Sequence, residues 1–527
     1  MRSIISRKSM QGIAGGILAL VFVFAPGARA QSAGRATAGR PAEQRTARYF
    51  ESLRKSPPQM LAFLKRMPKG ADLHNHLSGA VYAESYIRWA ADKQQCLNQS
   101  TMQLSQPPCD QAAGRPPATA VLSNPGLYRQ VIDAWSMRNW EHSGQSGHDH
   151  FFDTFGKFGG GTFGQMLAEV SSRAAKGRVS YLELMLTPDG PISGLIGTQV
   201  GWDGKFEDTL NKLKSKGIDT AIAAGVKALK DAETERDDLL KCGTQQADPG
   251  CSVTVRYIAN VARAGTLGQV FAQMVTGFAL ANDTNSSKVV ALNLVQPEDW
   301  LPSMQNFTVH MEMLSFLRPR YPRAHITLHA GELAAGIVPP EGLSFHIRDS
   351  VIKGHAERIG HGVAIMNEDD PFGLLKELAR RNVMIEICLT SNDVILGIRK
   401  ERHPLATYLQ YGVPTALATD DEGVSRSEIS REFLKAAEDH GLGYIQLKTL
   451  ARNSLQHAFL PGASLWADAK KFLPVPQCAG ELSAKDEPSG TCKDYLAASE
   501  KARLQWRLER ALTSFENQPW PMGGGAR

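Results

Sequence analysis

The sequence predicts an α/β domain of the (β/α)8 barrel class, interrupted by inserted surface segments that disulfides would staple. Three observations predict this class. Eight short apolar runs follow one another between residues 71 and 420, amphipathic stretches separate several of them, and histidines and carboxylates recur where the runs end. Strands that alternate with helices form parallel βα units, and eight such units suggest a closed barrel.

The eight runs are the predicted strands. In chain order they are ADLHNHL, VSYLELML, SVTVRYIAN, KVVALNLV, HITLHAG, RIGHGV, VMIEICL and PTALATD. Helical patterns such as NFTVHMEMLSFLRPRY and DPFGLLKELARRN lie between several of them. We place the barrel over residues 51–462, with insertions at about 91–150 and 235–252, and a C-terminal extension with a helix over 463–527.

The N-terminus has the pattern of a secretory signal peptide. Arg2, Arg7 and Lys8 precede an apolar stretch, and the ARA of residues 28–30 fits a small-residue cleavage site. We therefore predict a signal peptide over 1–30, a polar and disordered leader over 31–50, and a secreted or periplasmic protein. No later run reaches the roughly 20 apolar residues of a transmembrane helix, so we expect no membrane association after signal removal.

The net charge gives no indication of a nucleic-acid partner. The formal charge of the chain is +6, and four basic residues leave with the signal peptide, which reduces the mature charge to +2. The chain also has no long basic run. Nucleic-acid-binding surfaces are strongly basic, so we expect a small-molecule ligand and no nucleic acid.

Six of the seven cysteines fall into close pairs along the chain. The pairs are Cys96 with Cys109, Cys242 with Cys251, and Cys478 with Cys492. Each pair brackets a polar stretch, which in an oxidising compartment predicts three local disulfides; reduced surface thiols are the alternative. Cys388 lies in the apolar strand VMIEICL, where a buried thiol is favoured over a metal ligand.

The first predicted strand ends in two histidines with the spacing of a metal clamp. Residues i and i+2 of a strand project from the same face, so His74 and His76 point together. The strands that end in HITLHAGE, RIGHG and ALATDDEG contribute His329, Glu332, His361, Asp420 and Asp421. Strand ends meet on one face of a barrel, and histidines with a carboxylate from separate strands suit zinc.

The order of these motifs resembles the adenosine deaminase family of the metal-dependent amidohydrolases. MPKGADLHNHLSGA, HAGE, RIGHG, EICLTSN and TDD occur in the family's order over roughly residues 65–460. The signal peptide and the cysteine-containing segments are similar to the family's secreted branch, the adenosine deaminase-related growth factors. The resemblance implies a (β/α)8 barrel, one zinc ion per chain and a small purine nucleoside as substrate.

The resemblance also implies a role for each matching residue. The zinc ligands would be His74, His76, His329 and Asp420, with His76 also facing the substrate. Glu332 would donate a proton to purine N1, His361 would assist deprotonation of the zinc-bound water, and Asp421 would hydrogen-bond N7. The chemistry is consistent with these roles, because protonation of N1 makes C6 of adenine electrophilic.

Four positions depart from the family's pattern. Ser78 stands where the nucleoside deaminases carry an aspartate that binds the ribose 5′-hydroxyl. Gln296 replaces a glycine whose amide approaches N3 of the ring, and Asn293 replaces the aspartate before it. Glu422 replaces a proline. We expect Ser78 and Gln296 to contact the substrate, with sugar and N3 contacts that differ from the family's.

Several aromatic and histidine residues have a structural and a functional interpretation. His148 and His150 lie in a Gly-rich stretch that predicts a loop, with metal binding as the less favoured alternative. The following FFDTFGKF predicts a helix, so Phe152 and Phe155 either pack in the core or form walls of the substrate pocket. His325 shares a strand face with His329, and a structural role is favoured for it.

Two polar features near the predicted strands each have two possible structural roles. Glu183 either lines the barrel or pairs with a barrel arginine. Thr390, Ser391 and Asn392 either cap the next helix or position Asp420.

The lead hypothesis for function is zinc-dependent hydrolytic deamination of adenosine and 2′-deoxyadenosine to inosine and 2′-deoxyinosine plus ammonia. The first alternative, motivated by Ser78 and Gln296, keeps this chemistry but acts on adenine, a modified or 5′-substituted adenine nucleoside, or AMP. A secreted binding or signalling protein on a deaminase scaffold is the second. A cytidine-deaminase type of zinc site is set aside because the chain lacks P-C-x-x-C. A homodimer is left open.

Overall fold

Eight parallel strands form one sheet whose order follows the chain. They are β1 Gly70–His76, β2 Val179–Leu186, β3 Thr254–Ala262, β4 Val289–Val295, β5 His325–Ala330, β6 Arg358–His361, β7 Met384–Ile387 and β8 Thr415–Leu417. The computed structural model describes residues 41–482 and 487–520, and every predicted strand is present there. The predicted (β/α)8 barrel is confirmed. The predicted signal peptide and residues 31–40 of the predicted leader lie outside the described residues.

The backbone after β8 brings the two edges of the sheet together. Asn75 of β1 forms a parallel bridge with Asp420, which lies three residues beyond β8. The amide of Asp420 donates to the carbonyl of His74 over 2.9 Å, and the amide of His76 donates to the carbonyl of Asp420 over 3.0 Å. The predicted metal-ligating residues of the first and last strands are therefore joined through their backbones.

The strands are apolar on both faces because both faces are covered. In β2, VSYLELML, seven of the eight residues are buried. Helices pack on the outer face of a parallel barrel, and side chains fill its interior, so neither face of a strand meets water.

Helices surround the barrel and fill its insertions. They are Pro41–Ser52, Pro57–Arg66, Leu77–Ala80, Ala83–Asp92, Thr119–Ser123, Pro125–Ala134, Gly147–Thr154, Phe163–Lys176, Ile192–Val200, Phe206–Ser215, Asp219–Leu239, Leu267–Asn282, Thr284–Ser287, Leu301–Gln305, Phe307–Leu317, His346–Ile352, Pro371–Arg381, Leu389–Leu396, Leu405–Gln410, Ile429–Asp439, Tyr444–Gln456, Pro476–Ala479, Gly490–Ala498 and Glu500–Glu516. Within residues 41–482 and 487–520, none of them has the length and apolar character needed to span a bilayer.

The helix Pro371–Arg381 shows how the sequence specifies these elements. The side chain of Asp370 accepts a hydrogen bond from the amide of Gly373, and a proline occupies the first helical position. Leucines at helical spacing are buried against the barrel. The helix ends at Asn382, whose left-handed backbone (φ +59°) stops further helical hydrogen bonding.

The predicted disordered leader is wrong for residues 41–50, because Pro41–Ser52 is helical. This helix is polar on average, but one face carries Phe50, which is fully buried with its ring centroid 5.3 Å from that of Phe63. The side-chain hydroxyl of Thr46 donates to the backbone carbonyl of Glu516. The C-terminal helix therefore supplies the partner that stabilises the leader helix.

All three predicted disulfides are present. The pairs are Cys96–Cys109, Cys242–Cys251 and Cys478–Cys492. Cys388 is a buried free thiol, as predicted. The first insertion contains a short hairpin of Cys96–Asn98 and Gln103–Ser105. The second begins later than predicted, because the helix Asp219–Leu239 continues through residues 235–239 before the stapled loop starts.

The C-terminal extension covers the end of the barrel where the strands begin. The helix Glu500–Glu516 places Leu504, Leu508 and Leu512 in one buried cluster with Ala71 of β1 and Tyr181 of β2. This end of the barrel is therefore filled by apolar packing, and the opposite end, where the strands finish, holds the polar residues described next.

Candidate active site

A cavity of about 270 Å³ opens at the C-terminal ends of the strands. It is lined by His76, Ser78, Phe151, Phe152, Phe155, Asn260, Val295, Gln296, Pro297, Trp300, His329, Glu332, Asp420 and Asp421. Among the predicted site residues, His74 and His361 lie immediately behind this lining. The structure thus brings together all the residues that the sequence singled out for metal binding, catalysis and substrate contact.

Four side chains turn nitrogen or oxygen atoms toward one point. The Nε2 atoms of His74 and His76 each lie 3.1 Å from Nε2 of His329. Oδ1 of Asp420 lies 3.4 Å from Nε2 of His74 and 3.2 Å from Nε2 of His76. Two ligands at about 2.1 Å from a tetrahedral zinc ion would be about 3.4 Å apart, so these donors fit such an ion. Three histidines and a carboxylate are also a donor set that zinc accepts.

Partners behind the histidines fix which nitrogen faces the site. Nδ1 of His74 lies 2.6 Å from Oε2 of Glu386, and Nδ1 of His329 lies 2.9 Å from Oδ1 of Asn293. Each Nδ1 donates its hydrogen to an oxygen, which leaves the Nε2 lone pair of the neutral ring for a metal ion. Glu386 was not identified from the sequence, and the departure at Asn293 still supplies an acceptor oxygen.

Ser391 fixes the carboxylate of Asp420. Its hydroxyl donates to Oδ2 over 2.7 Å, and Oδ1 is left facing His74 and His76. The predicted alternative in which this segment positions Asp420 is therefore confirmed for Ser391. Thr390 instead donates to the carboxylate of Glu432.

Left-handed backbone conformations occur where strands pass into the loops of the site. Gln296, His361 and Asp420 have φ values of +79°, +67° and +57°. Such values are uncommon for residues other than glycine and cost conformational energy, which the surrounding structure must offset. Here they turn the chain so that consecutive side chains, such as Asp420 and Asp421, both reach the cavity. Gln296, which replaces a glycine of the family pattern, thus has the left-handed backbone conformation that glycine adopts most easily.

Glu332 is a buried carboxyl group beside the metal-ligating cluster. Burial, followed by the nearby Asp420 carboxylate, raises the pKa of Glu332 well above its usual value. This shift favours the protonated form of the carboxyl group, which can donate a hydrogen. Oε1 of Glu332 lies 3.5 Å from Nε2 of His361, whose pKa burial lowers to about 3.

Glu298 and Arg263, which the sequence analysis missed, hold the loop that carries Glu332. Glu298 accepts from the amides of Gly331 (3.1 Å) and Glu332 (2.8 Å), and it lies 2.5 Å from Nδ1 of His346. Arg263 is fully buried and donates to the carbonyls of Gln296 (2.8 Å) and His329 (3.2 Å). Neither stands at the end of a recognisable motif, which is why the sequence alone did not show them.

Asp421 reaches the cavity because a glycine faces it. A Cβ atom on Gly79 would lie 1.6 Å from Oδ1 of Asp421, so no other residue fits there without displacing the carboxyl group. Burial, then the adjacent Asp420 charge, raises the pKa of Asp421 well above its usual value. Its Oδ1 is buried and without a hydrogen-bond partner among the described residues, so it is free to bind a ligand.

Aromatic side chains form the outer wall of the cavity. The helix Gly147–Thr154 carries Phe151 and Phe152, and Phe155 follows it, so the pocket-wall alternative for Phe152 and Phe155 has the geometry it requires. Trp300 lies on the lining as well and is 44% exposed. The mouth of the cavity is therefore apolar.

The loop predicted for His148 and His150 is wrong, because both residues lie in the helix Gly147–Thr154. Ser146 caps the helix start by accepting from the amide of Asp149. Nε2 of His148 lies 3.0 Å from Oδ1 of Asp299, which belongs to the loop after β4. His148 thereby bridges two walls of the cavity mouth, and neither histidine is in a metal-ligating group found among residues 41–482 and 487–520.

Two further interpretations concern residues away from the metal-ligating cluster. Glu183 pairs with Arg358 over 2.5 Å inside the barrel, as the barrel-arginine alternative predicted. His325 lies 2.9 Å from the carboxylate of Glu357 and stacks on Phe459, at the strand-start end of the barrel, which agrees with a structural role.

Comparison with known sequences adds to this geometry. A family model described as adenosine deaminase matches residues 163–466, which is more than half of the chain. The chain belongs to the adenosine deaminase family. Members of the family depend on a metal ion, and the convergent donors of His74, His76, His329 and Asp420 could hold one.

Individual relatives match over part of their length. An adenosine deaminase of Serratia proteamaculans is 42% identical over 146 residues, which is 28% of this chain and 41% of that protein. One from Pectobacterium atrosepticum is 38% identical over 174 residues, or 33% of this chain and 47% of that protein. The chain thus matches less than half the length of these relatives. The crystal structure of adenine deaminase from Arthrobacter aurescens superposes with a TM-score of 0.47 and 18% identity, covering 77% of this chain and 96% of that chain.

Proposed function

We propose that this protein is a zinc-dependent hydrolase that deaminates adenosine and 2′-deoxyadenosine, giving inosine and 2′-deoxyinosine plus ammonia. The observation that carries the proposal is the convergence of His74, His76, His329 and Asp420 beside the buried carboxyl group of Glu332, whose pKa burial raises. Family membership supports the same class of reaction.

The four convergent donors would hold one zinc ion. Zinc supplies, when bound, a water molecule acidified toward neutral pH. Glu386 and Asn293 accept the Nδ1 hydrogens of His74 and His329, so the Nε2 atoms of both rings face the position that the zinc ion would occupy.

Glu332 then provides the acid that the purine requires. Adenine resists addition at C6 because its ring is aromatic, and a proton delivered from Glu332 to N1 makes C6 electrophilic. Water oxygen adds at C6, the bond from C6 to the exocyclic nitrogen breaks, and ammonia leaves. The proton from Glu332 stays on N1 of the product. Of the two hydrogens of the water, one leaves on ammonia and the other returns to the Glu332 carboxylate, so the reaction balances and the acid is restored.

The lining of the cavity favours an unphosphorylated nucleoside over AMP. None of the lining residues among the described parts of the chain is a lysine or arginine, and the mouth carries Phe152, Phe155 and Trp300. A phosphate group would lose its hydration there without gaining a cation. Asn260 and Ser78 offer neutral polar groups on the lining of the cavity, which suits hydroxyl groups of a sugar. The 5′-substituted nucleosides stay a second candidate because Ser78 carries no charge.

We also propose that the protein acts outside the cytoplasm. The N-terminal pattern of a signal peptide supports this, and so do the three disulfides, which persist in oxidising compartments. The growth-factor branch and the homodimer stay predictions.

The experiment that tests the function is a spectrophotometric assay of the zinc-loaded protein with adenosine. We expect absorbance at the adenine band to fall, a chelator to abolish the change, and added zinc to restore it. 2′-Deoxyadenosine, 5′-deoxyadenosine, AMP and adenine are compared at equal concentration. Adenosine turnover well below that of AMP or adenine would overturn the nucleoside assignment, and turnover that survives complete zinc removal would overturn the metal chemistry.

A further inference from the structure

A buried chain of hydrogen bonds runs from His361 away from the cavity. Nδ1 of His361 lies 3.0 Å from Nδ2 of Asn392, and Oδ1 of Asn392 lies 3.1 Å from Nε2 of His403. The amide of Leu405 donates to Nδ1 of His403 over 3.2 Å. The three side chains of His361, Asn392 and His403 are between 0 and 3% exposed, so water does not compete for these contacts.

The backbone N–H of Leu405 determines which atom donates in each of these hydrogen bonds. A backbone N–H can only donate, so Nδ1 of His403 must accept and carries no hydrogen. The single hydrogen of the neutral His403 ring is therefore on Nε2, and it is donated to Oδ1 of Asn392. Burial first, then the positive charge of neighbouring groups, lowers the pKa of His403 to about 3, which keeps the ring neutral.

The orientation of the Asn392 amide then determines the hydrogen on His361. With Oδ1 accepting from His403, the Nδ2 group donates to Nδ1 of His361. Nδ1 of His361 consequently has no hydrogen, and the ring hydrogen is on Nε2. Nε2 of His361 is buried and has no hydrogen-bond partner among the described residues, with Oε1 of Glu332 3.5 Å away.

We propose that Asn392 and His403 are positioning residues that hold His361 as the Nε2–H tautomer, so that His361 donates a hydrogen bond to the reacting oxygen at C6. In this tautomer Nε2 can neither take a proton from water nor ligate a metal ion. His361 is then a hydrogen-bond donor that stabilises negative charge on that oxygen. This inference rests on the proposed deamination for the identity of the acceptor, but the tautomer itself does not depend on it.

Rigid elements on both sides keep the chain in place. Asn392 lies in the helix Leu389–Leu396, and its backbone N–H donates to the backbone carbonyl of Cys388 over 2.9 Å. Leu405 begins the helix Leu405–Gln410, and the hydroxyl of Tyr408 in that helix donates to the carbonyl of Gly362 over 2.6 Å. The segment that follows His361 is thereby held against the helix Leu405–Gln410, whose first residue donates to His403.

The test uses the zinc-loaded, full-length mature protein labelled with ¹⁵N in histidine. Long-range ¹⁵N–¹H correlation spectra distinguish the two neutral tautomers, and the His361 signals are identified by their loss in His361→Gln. We expect the Nε2–H pattern for His361 in the wild type. An Nδ1–H pattern would overturn the proposal, whatever substrate the protein uses. If the Nε2–H pattern is seen while adenosine is inert, the positioning stands and the proposed function fails.

Asn392→Asp is the decisive variant because a carboxylate of the same shape can only accept. We expect it to draw the hydrogen of His361 to Nδ1, and kcat for adenosine to fall about 100-fold with little change in KM. Asn382→Asp is the matched control, since it adds the same charge at an exposed helix end by the opposite face of the barrel, and we expect no change in kcat.

If His361 acted as a base, Asn392→Asp would instead retain or increase kcat, which would overturn the proposal.

Because Asn392→Asp could also unfold the protein, His403→Phe is measured in parallel, with circular dichroism and thermal melting for both. Loss of the His403 hydrogen frees the Asn392 amide to turn over, so we expect a second set of His361 signals and about a 10-fold loss of kcat. A single Nε2–H pattern with full activity in His403→Phe would remove His403 from the mechanism.

Discussion

The inner and outer halves of the cavity are built differently. In the inner half three of the four metal-facing side chains have a partner that orients them: Glu386 for His74, Asn293 for His329 and Ser391 for Asp420. In the outer half Phe155 and Trp300 are 36% and 44% exposed. Preorganised polar groups carry out chemistry, whereas exposed apolar walls discriminate among substrates only weakly. Under the proposed function, the inner half carries out the reaction and the outer half contributes only weak discrimination among purines.

The largest effect is expected from the acid of the inner half. In Glu332→Gln no proton can be delivered to N1, so we expect kcat for adenosine to fall by about 10²–10⁴-fold, the usual contribution of general acid catalysis. KM should change little, since the amide preserves the shape of the side chain. Glu341→Gln, on an exposed turn, is the control in the same assay. A loss smaller than 10-fold would mean that Glu332 is not the acid.

A second change tests whether the inner half is organised by its partners. Glu386→Gln removes the charge that receives the Nδ1 hydrogen of His74, and we expect zinc affinity to fall by about 10- to 100-fold. The measurement is zinc transfer to a chromogenic chelator. Glu183→Gln is the matched control, because Glu183 also pairs with Arg358 but lies away from the zinc donors. Equal zinc loss in both variants would show that only barrel stability had changed.

A third change, at Ser78, tests how the outer half of the cavity contacts the sugar of the substrate. Ser78→Asp introduces a carboxylate where the family resemblance implies a contact to the 5′-hydroxyl, so we expect the preference for adenosine over 5′-deoxyadenosine to rise by about 10-fold in kcat/KM. A hydrogen bond to a charged group is worth about 1.5 kcal/mol, which corresponds to that factor. Ser78→Asn, neutral and of equal size, is the control. An unchanged ratio in Ser78→Asp would place the 5′ end of the nucleoside elsewhere.

The smallest effect is expected at the bridge across the cavity mouth. Burial lowers the pKa of His148, but hydrogen bonds to Asp299 and Asp149 more than offset this and raise it to about 9. Because the pKa is raised on folding, the bridge is fully formed below about pH 6.5 and is lost as the pH rises through about 9. We expect Asp299→Asn to change KM by about two- to five-fold at pH 7, as for a partly exposed ion pair.

The control for the bridge is Asp149→Asn, which also removes a partner of His148 but lies on the same helix. It leaves the contact between the two walls intact, so KM should stay near the wild-type value. In the wild type KM should drift toward the Asp299→Asn value between pH 7 and pH 10. A KM that is independent of pH over this range in both proteins would exclude a role for the bridge in substrate binding.

The sequence predicted the elements whose signals are local. All eight strands were found because each is a short apolar run, and the metal-facing residues were found because they end those runs in recognisable motifs. The leader helix was missed because its buried face is completed by Glu516, 470 residues from Thr46. Glu386 begins the EICLTSN motif, but its role was missed for the same reason, since its partner His74 lies 312 residues away. Contacts between residues so far apart in the sequence produce no local pattern from which they could be predicted.

The backbone bridge at Asp420 makes the cation site a late product of folding. It joins Asn75 to Asp420, 345 positions apart, and contacts of such long range form slowly because the entropy of closing a long loop must be overcome first. Donors on the first and last strands meet only after the intervening chain has folded. Under the proposed function, the zinc content of a preparation should therefore report the fraction of molecules whose barrels have closed, and a chain arrested before β8 should bind no zinc at this site.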